Sequence, residues 1–444
     1  MDEARGRPRE GLRARQSRPL WRRLAASAAW FLAGAAFMFA LVNLTPARRA
    51  LEAPLEHRHA ASDPAFLRVM EGVISPSILP GNRIETLVNG DEIFPAMLAA
   101  IAGAESSISF ETYIYWDGDI ARRFAERLAE RARAGVQVRV LLDWYGSIPT
   151  DRDLLALMRD AGAEVLRFRR PRWHELDRLN NRTHRKLLVV DGRVGFTGGA
   201  GIGDKWLGDA RNPTEWRETQ FRLRGPVVTQ MQAAFLENWL EAAGSLPDAA
   251  LLFPEQEARV GGVPAQVVAA SPQGGAAKLH LVFMLALASA ERHIRIGVPY
   301  FVPDRVAREQ LVEARRRGVE VDLLLPGEHM ELAFVRRASR HLWGPLLEAG
   351  VRIWEYQPTF YHPKIVLVDD AWASIGSANF DERAMRLNDE ANLNVFDQAF
   401  AREQIALFEA DLQRARRITL EEWRNRPGSV RLGDRAWALL RRQL

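Results

Sequence analysis

The first hydrophobic feature of the chain is a run of 21 positions without a charge, Leu24 to Leu44, which includes Trp30, Phe31, Phe37, Met38 and Phe39. As a helix rising about 1.5 Å per residue, the run covers roughly 30 Å, the thickness of a hydrocarbon core. It predicts one N-terminal transmembrane helix over 24–44. Arginines crowd the stretch before it, and only Arg48 and Arg49 follow closely. The positive-inside rule then places the N-terminus in the cytoplasm and the rest of the chain outside. A cleaved signal peptide is the alternative, but its charged region would be long and no clear A-x-A site follows. Residues 1–23 read as a disordered basic tail, and 45–84 as a membrane-proximal tether.

Beyond residue 85 the hydrophobic period switches repeatedly between 3.6 and 2, and it does so twice in the same order. An amphipathic segment, Ile93 to Ala104, precedes a strand starting at Ser107. A helix with Ile120, Phe124 and Leu128 on one face ends at Gly135, and the strand Val136 to Asp143 follows. A helix over Asp151 to Ala161 stops at Gly162 before the strand Glu164 to Phe168. The second pass runs through a helix over Leu279 to Ala290, a strand from His293, and a helix over Arg305 to Arg317. It closes with the strand Val319 to Leu325, a helix ending at Gly350, and the strand Val351 to Tyr356. Helices alternating with strands in this way predict an α/β fold with a mostly parallel sheet. Two pseudo-symmetric halves are expected, 85–245 and 246–444, joined through Glu241 to Pro264.

Each pass ends on the same short motif. His184-Arg185-Lys186 and His362-Pro363-Lys364 both open a predicted strand, and after four intervening residues come Asp191 and Asp369. Seven residues on, each half has a glycine turn, Gly198-Gly199-Ala200-Gly201 and Gly376-Ser377-Ala378-Asn379. The chain holds four lysines against 57 arginines, and two of the four sit in this motif. A period of two puts His and Lys on one face of the strand. Being polar, that face must look into a cleft shared by the halves. The aspartate faces the other way and reads as a structural anchor.

Two imidazoles and two ammoniums meeting across a pseudo-twofold suit a phosphodiester. Lysines neutralise the non-bridging oxygens, whose charge grows in the transition state. One neutral histidine can attack phosphorus, while the other donates a proton to the leaving alkoxide and later removes one from the incoming alcohol. No metal-ligand set such as H-E-x-x-H is present and no cofactor is called for. The absence of cysteine excludes disulfides and thiolate chemistry. Residues 1–23 carry eight arginines and three acids, so they hold the whole formal charge of +5, and the remaining residues are balanced at 53 of each sign. A balanced body makes nucleic acid an unlikely partner.

The doubled pattern His-x-Lys-x4-Asp-x6-Gly resembles the phospholipase D superfamily. Glu111-Thr-Tyr-Ile-Tyr-Trp, Leu141-Leu-Asp-Trp-Tyr-Gly-Ser, Val298-Pro-Tyr-Phe-Val-Pro-Asp and Leu387-Asn-Asp-Glu are similar to stretches of bacterial cardiolipin synthases. The resemblance implies two α/β/α halves with the active site at their interface and a phosphatidyltransferase acting on phospholipids such as phosphatidylglycerol. It implies a phosphohistidine intermediate, residence at a bacterial inner membrane and a catalytic domain on the outer face. His184 is then the nucleophile and His362 the acid/base. Lys186, Lys364, Asp191 and Asp369 complete the motifs, and Gly199, Ser377 and Asn379 lie at the substrate phosphate. A later acidic residue is expected to orient each histidine through Nδ1: Glu218 for His184, with Glu215 nearby, and Glu390 for His362. Two departures stand out: Gly201 occupies the asparagine position of the first half, and Ala384 stands where relatives usually carry serine. Alternatives are a phosphodiesterase or nuclease using water, or a non-catalytic module of the same fold. His174, His280, His329 and His341 read as surface or partly buried groups outside the chemistry.

Overall fold

The computed structural model describes residues 20–44, 51–171, 180–256, 260–272, 275 and 277–441. The basic segment 1–19, residues 45–50 of the expected tether and His174 lie outside the described residues. Helix α1 (Leu20–Leu44) belongs to one compact unit, Met1–Thr45, and every other described element to a second, Pro46–Leu444. Alanine and leucine dominate α1 and no proline interrupts it, which favours a helix. Its Trp30, Phe31 and Phe37 side chains are exposed. Among the described residues, no helix is long and apolar enough to cross a membrane.

The second unit begins with α2 (Pro64–Val73), β1 (Leu79–Val88), α3 (Asn89–Ala102) and β2 (Ser107–Thr112). It continues through α4 (Asp119–Arg133), β3 (Gln137–Asp143), α5 (Arg152–Asp160) and β4 (Glu164–Phe168). The first motif region comprises β5 (Arg182–Thr183), β6 (Leu187–Val190), β7 (Val194–Gly198) and β8 (Thr219–Arg224), followed by α6 (Val227–Ala243). The second half runs α7 (Ala249–Leu252), β9 (Val263–Ala270), α8 (Ala277–Ala288), β10 (His293–Gly297), β11 (Phe301–Val302), α9 (Arg305–Arg316) and β12 (Glu320–Pro326). Then come α10 (Ala333–His341), α11 (Trp343–Glu348), β13 (Arg352–Tyr356), β14 (Ile365–Val368), β15 (Trp372–Gly376), β16 (Phe380–Asp381) and β17 (Asn388–Val395). The chain closes with α12 (Gln398–Leu412), β18 (Ala415–Ile418), α13 (Leu420–Arg424) and α14 (Gly428–Ala438).

One sheet runs through both halves in the order β18-β13-β12-β10-β14-β15-β17-β9-β1-β8-β7-β6-β2-β3-β4. Read outward from the β9–β1 junction, the two sides carry matching strands. The helices predicted from the 3.6 period form within about two residues of their expected bounds, except that α3 starts at Asn89, four residues before the expected Ile93. The expectation of a mostly parallel sheet is corrected. The outer trios β2-β3-β4 and β10-β12-β13 are parallel, but the inner strands β6, β7, β8 and β1, and β14, β15, β17 and β9, pair antiparallel. Helical crossovers permit parallel pairing, whereas the tight turns after Val190 and Val368 allow only hairpins. The tether expectation is also corrected in part. Phe66 and Met70 of α2, with Ile74 and Ile78, are buried in one cluster with Val282, Leu287 and Ile294. That stretch is folded onto the second half.

Alternation along β6 shows how the layers form. Leu188 and Val190 enter the apolar cluster of α4 and α5, while Leu187 and Val189 enter the cluster of α6 and α12. The sheet is therefore covered on both faces, which explains why its strands read as near-continuous apolar runs.

Candidate active site

The two motifs meet through strand pairing across the halves. Arg182 and Thr183 pair in parallel with Asn388 and Asp389, and the His184 amide donates to the Asp389 carbonyl at 2.8 Å. Arg217 bridges to Tyr361, and the His362 amide donates to the Arg217 carbonyl at 2.9 Å. Each histidine segment thus lies beside the acidic strand of the opposite half. The side chains follow. Glu390 holds Nδ1 of His184, with both oxygens at 3.0 Å, and Glu218 holds Nδ1 of His362. This reverses the expected pairing of Glu218 with His184 and Glu390 with His362. Glu215 contacts neither; it accepts from the Asp209 and Arg211 amides and from Asn212.

Both histidines are mostly buried, with side chains 12% and 8% exposed for His184 and His362. Lys186 Nζ donates to the His184 carbonyl at 2.8 Å, and Lys364 Nζ to the His362 carbonyl at 2.6 Å. Lys364 Nζ also lies 2.9 and 3.1 Å from the ring nitrogens of His362. Burial pushes His184 down to about 4 against the opposing pull of Glu390. Burial and the Lys364 ammonium push His362 down to about 3. Burial likewise lowers Lys186 to about 8 and Lys364 to about 7. Burial acts on Glu218 in the raising sense, but His362 and Lys364 outweigh it and hold the carboxyl at about 2. At neutral pH two carboxylates face two lysines, and both imidazoles are neutral. A phosphodiester anion seated there adds negative charge and favours a proton on one imidazole. One neutral and one protonated imidazole is the state that nucleophilic attack and acid catalysis need together.

The glycine turns make the two halves unequal. Gly198 and Gly376 both have φ +154, and a Cβ at Gly376 would lie 2.4 Å from the Ala391 carbonyl oxygen. Ser377 Oγ donates to Glu390 at 2.5 Å. At the matching Gly199 a Cβ would lie 2.4 Å from Glu218 Oε1, so no serine fits. Trp206 Nε1 serves Glu218 instead at 3.2 Å, beside the Thr219 amide at 2.9 Å. A Cβ at Gly201 would lie 2.8 Å from Ile114 Cβ and 2.9 Å from the Trp206 ring. The Trp206 indole therefore fills the room an asparagine would need. Asn379 keeps its side chain in the second half, with Oδ1 buried and unpartnered among the described residues. Ala384 is buried, and its amide caps Asp381 at 2.7 Å.

Asp191 and Asp369, which complete the motifs in sequence, stand apart from the catalytic groups as the structural anchors read from their strand face. Asp191 accepts from the Glu105, Ser106 and Ser107 amides, and Asp369 from those of Glu291, Arg292 and His293. Both adopt positive φ, 53° and 52°, at the hairpin turns. They lie about 16 Å along the strand from the lysines at the usual rise per residue. They lock the entry to β2 and β10, which aligns the strand bearing the motif.

His184, Lys186, His362 and Asn379 line one cavity of about 1070 Å³. Its walls are strongly aromatic, with Trp116, Trp144, Trp206, Trp216 and Tyr300. Trp206, Trp216 and Phe360 surround the His362 ring at centroid distances of 5.4, 5.5 and 5.4 Å. Tyr113 packs edge-on against His184 at 5.3 Å. Such walls disfavour water and suit a partly apolar ligand. Arg182, Arg383, Glu331 and Asp381 add charge to the same cavity. Among the described residues there is no cluster of three or more His, Cys, Asp or Glu able to hold a metal ion.

A family model described as "Cardiolipin synthase, PLD-like domain" matches residues 97–239 and 284–412, which together take in both motifs and both glutamates. The chain belongs to this family of phospholipase D-like cardiolipin synthases. Cardiolipin synthase A of Pseudomonas fluorescens is 37% identical over 379 residues, 85% of this chain and 78% of that protein. Cardiolipin synthase A of Pseudomonas putida is 36% identical over the same shares. Among solved structures, phosphatidylserine synthase of Haemophilus influenzae aligns with a TM-score of 0.66 at 15% identity, covering 86% of this chain and all of that one. At that identity the likeness carries the fold alone.

Of the residues expected from the sequence, the structure brings together the two histidines, the two lysines, Asn379 and both glutamates, with the glutamates exchanged. Sequence reasoning missed Trp206, Arg182, Tyr113 and the wall residues Trp116 and Tyr300. Trp206 had a signal: a tryptophan five residues after the position where the asparagine is lost. Arg182 had one as well, two residues before His184 and so on the same strand face.

Proposed function

We propose that the chain is a membrane-anchored phosphatidyltransferase that joins two phosphatidylglycerol molecules into cardiolipin and releases glycerol. The observation that carries the reading is the crossed pair of histidine–glutamate contacts, whose two histidines line one aromatic-walled cavity together with Lys186. His184 Nε2 attacks the donor phosphorus, and the bond to the headgroup glycerol oxygen breaks. Protonated His362 gives its proton to that oxygen, so glycerol leaves neutral. The phosphatidyl group is then held on His184. The hydroxyl of a second phosphatidylglycerol gives its proton to His362, its oxygen bonds to phosphorus, and the phosphorus–nitrogen bond breaks. Lys186, Lys364 and Asn379 hold the non-bridging oxygens, whose charge is greatest in the transition state. Glu390 and Glu218 fix the tautomer of each ring from the opposite half.

The uncharged run Leu24 to Leu44, with exposed Trp30, Phe31 and Phe37 and arginines crowded before it, supports an anchor with its N-terminus in the cytoplasm and the catalytic body outside. A reporter fused after Leu444 that is active only in the cytoplasm would refute this orientation. Aromatic walls favour a lipid alcohol over water as the acceptor. Purified enzyme given phosphatidylglycerol in micelles with a metal chelator is expected to form cardiolipin and glycerol in equal amounts, read by mass spectrometry. Phosphatidic acid as the sole lipid product would replace transfer by hydrolysis.

A further inference from the structure

The two lysines and Asn379 account for one phosphodiester, yet the cavity holds cationic groups beyond them. Arg182 and Arg383 line it together with His184 and Lys186. Arg182, His184 and Lys186 stand at alternate positions of one extended segment, so their side chains share a face. Arg182 is buried at 6% exposure, and its Nη1 has no hydrogen-bond partner among the described residues. Asp143 faces it at 3.9 Å, which is attraction without a hydrogen bond. The Asp143 oxygens are taken by the amides of Tyr145, Gly146 and Thr183, at 2.9, 3.0 and 3.1 Å. The guanidinium lies over the Trp144 and Tyr145 rings at 5.0 and 5.8 Å, which fixes its plane. Arg383 is held in the same cavity by Asn180, through its side-chain and backbone oxygens at 3.1 and 2.9 Å.

The matching position of the second half carries no cation. The residue two before His362 is Phe360, which is fully buried and packed against the His362 and Trp216 rings. The catalytic groups are doubled, but an arginine two residues before the histidine is present in the first half alone. A reaction with two different lipid partners has the same asymmetry: one phosphodiester reacts, and the other only accompanies the attacking hydroxyl. The second phosphate sits one glycerol away from the reacting phosphorus. Two strand residues separate Arg182 from His184 by about 6.6 Å, a span on the scale of such a three-carbon bridge.

We propose that Arg182, seconded by Arg383, binds the phosphodiester of the acceptor lipid and so selects an anionic phospholipid over a simple alcohol or water. This rests on the transferase reading above. An anionic acceptor placed beside a second anion needs its own counter-charge, and a guanidinium fork supplies two parallel donors to phosphate oxygens.

The test is a competition at one intermediate. Full-length enzyme in mixed micelles receives phosphatidylglycerol and ethanol together, and cardiolipin and phosphatidylethanol are both measured. Both products arise from the same phosphohistidine, so donor binding and adduct formation cancel in their ratio. In Arg182→Gln the ratio of cardiolipin to phosphatidylethanol is expected to fall about 10- to 100-fold, the worth of a charge-assisted contact. Arg182→Lys, which keeps the charge and loses the fork, is expected to give an intermediate ratio. A ratio equal to wild type in both variants would overturn the subsite, including the case where both products drop together. Wild-type enzyme that makes phosphatidylethanol but no cardiolipin would remove the synthase reading, and the subsite with it.

Discussion

Replacing either His184 or His362 by alanine is expected to lower cardiolipin formation about 1,000-fold or more. Each histidine acts in both half-reactions, so neither loss is covered by the other. The two variants should nevertheless fail differently. With phosphatidyl-p-nitrophenol as donor the leaving group needs no proton. H362A then keeps its nucleophile and its lysines, and should release about one equivalent of nitrophenol before stalling. H184A lacks the nucleophile and should release none in that burst. Equal bursts from both variants would break the division of labour between the rings.

The second large effect comes from the glutamates, and it runs across the halves. Glu390 accepts from His184 Nδ1 and is held in turn by Ser377 at 2.5 Å and Asn388 at 3.1 Å. Glu218 accepts from His362 Nδ1 and is held by Trp206 and Thr219. Glu390→Gln and Glu218→Gln keep shape and remove the charge that stabilises each ring's active tautomer and its imidazolium. Each is expected to reduce turnover about 100-fold or more, as loss of an orienting carboxylate does in other histidine-based sites. On the nitrophenyl donor, E390Q should slow the burst itself, because it disables the nucleophile. E218Q should leave the burst fast and slow the later release to the acceptor. The opposite pattern would mean that each glutamate serves the histidine of its own half.

Much of this architecture was legible in the chain. Ile120, Phe124 and Leu128 recur at helical spacing and are all fully buried on one face of α4. The strands β3, β4, β12 and β13 form within a residue of their expected bounds because they are short apolar runs closed by turns. The antiparallel centre was harder to read. β17 is buried at all eight positions, yet it spells Asn-Asp-Glu-Ala-Asn-Leu-Asn-Val, with apolar residues at Ala391, Leu393 and Val395 alone. Asp389 and Glu390 reach across the halves to Arg169 and His184, while Asn392 bonds within its own half to Ser374 and the Ala378 amide. The crossed glutamates follow from that same strand. Spacing along the chain suggests a partner within each half, whereas the pairing of Thr183 with Asp389 brings the other half's carboxylate to His184. The loss of asparagine at Gly201 was visible in the sequence, but the indole that fills its place depends on the turn that returns Trp206 to the site.

Transfer of the phosphatidyl group between two alcohols on one imidazole of this crossed cluster is checked by mixing H362A with phosphatidyl-p-nitrophenol and mapping the modified chain by mass spectrometry. One phosphatidyl group per chain is expected, on His184. An unmodified H362A chain, or an adduct found instead on His362 of H184A, would contradict it.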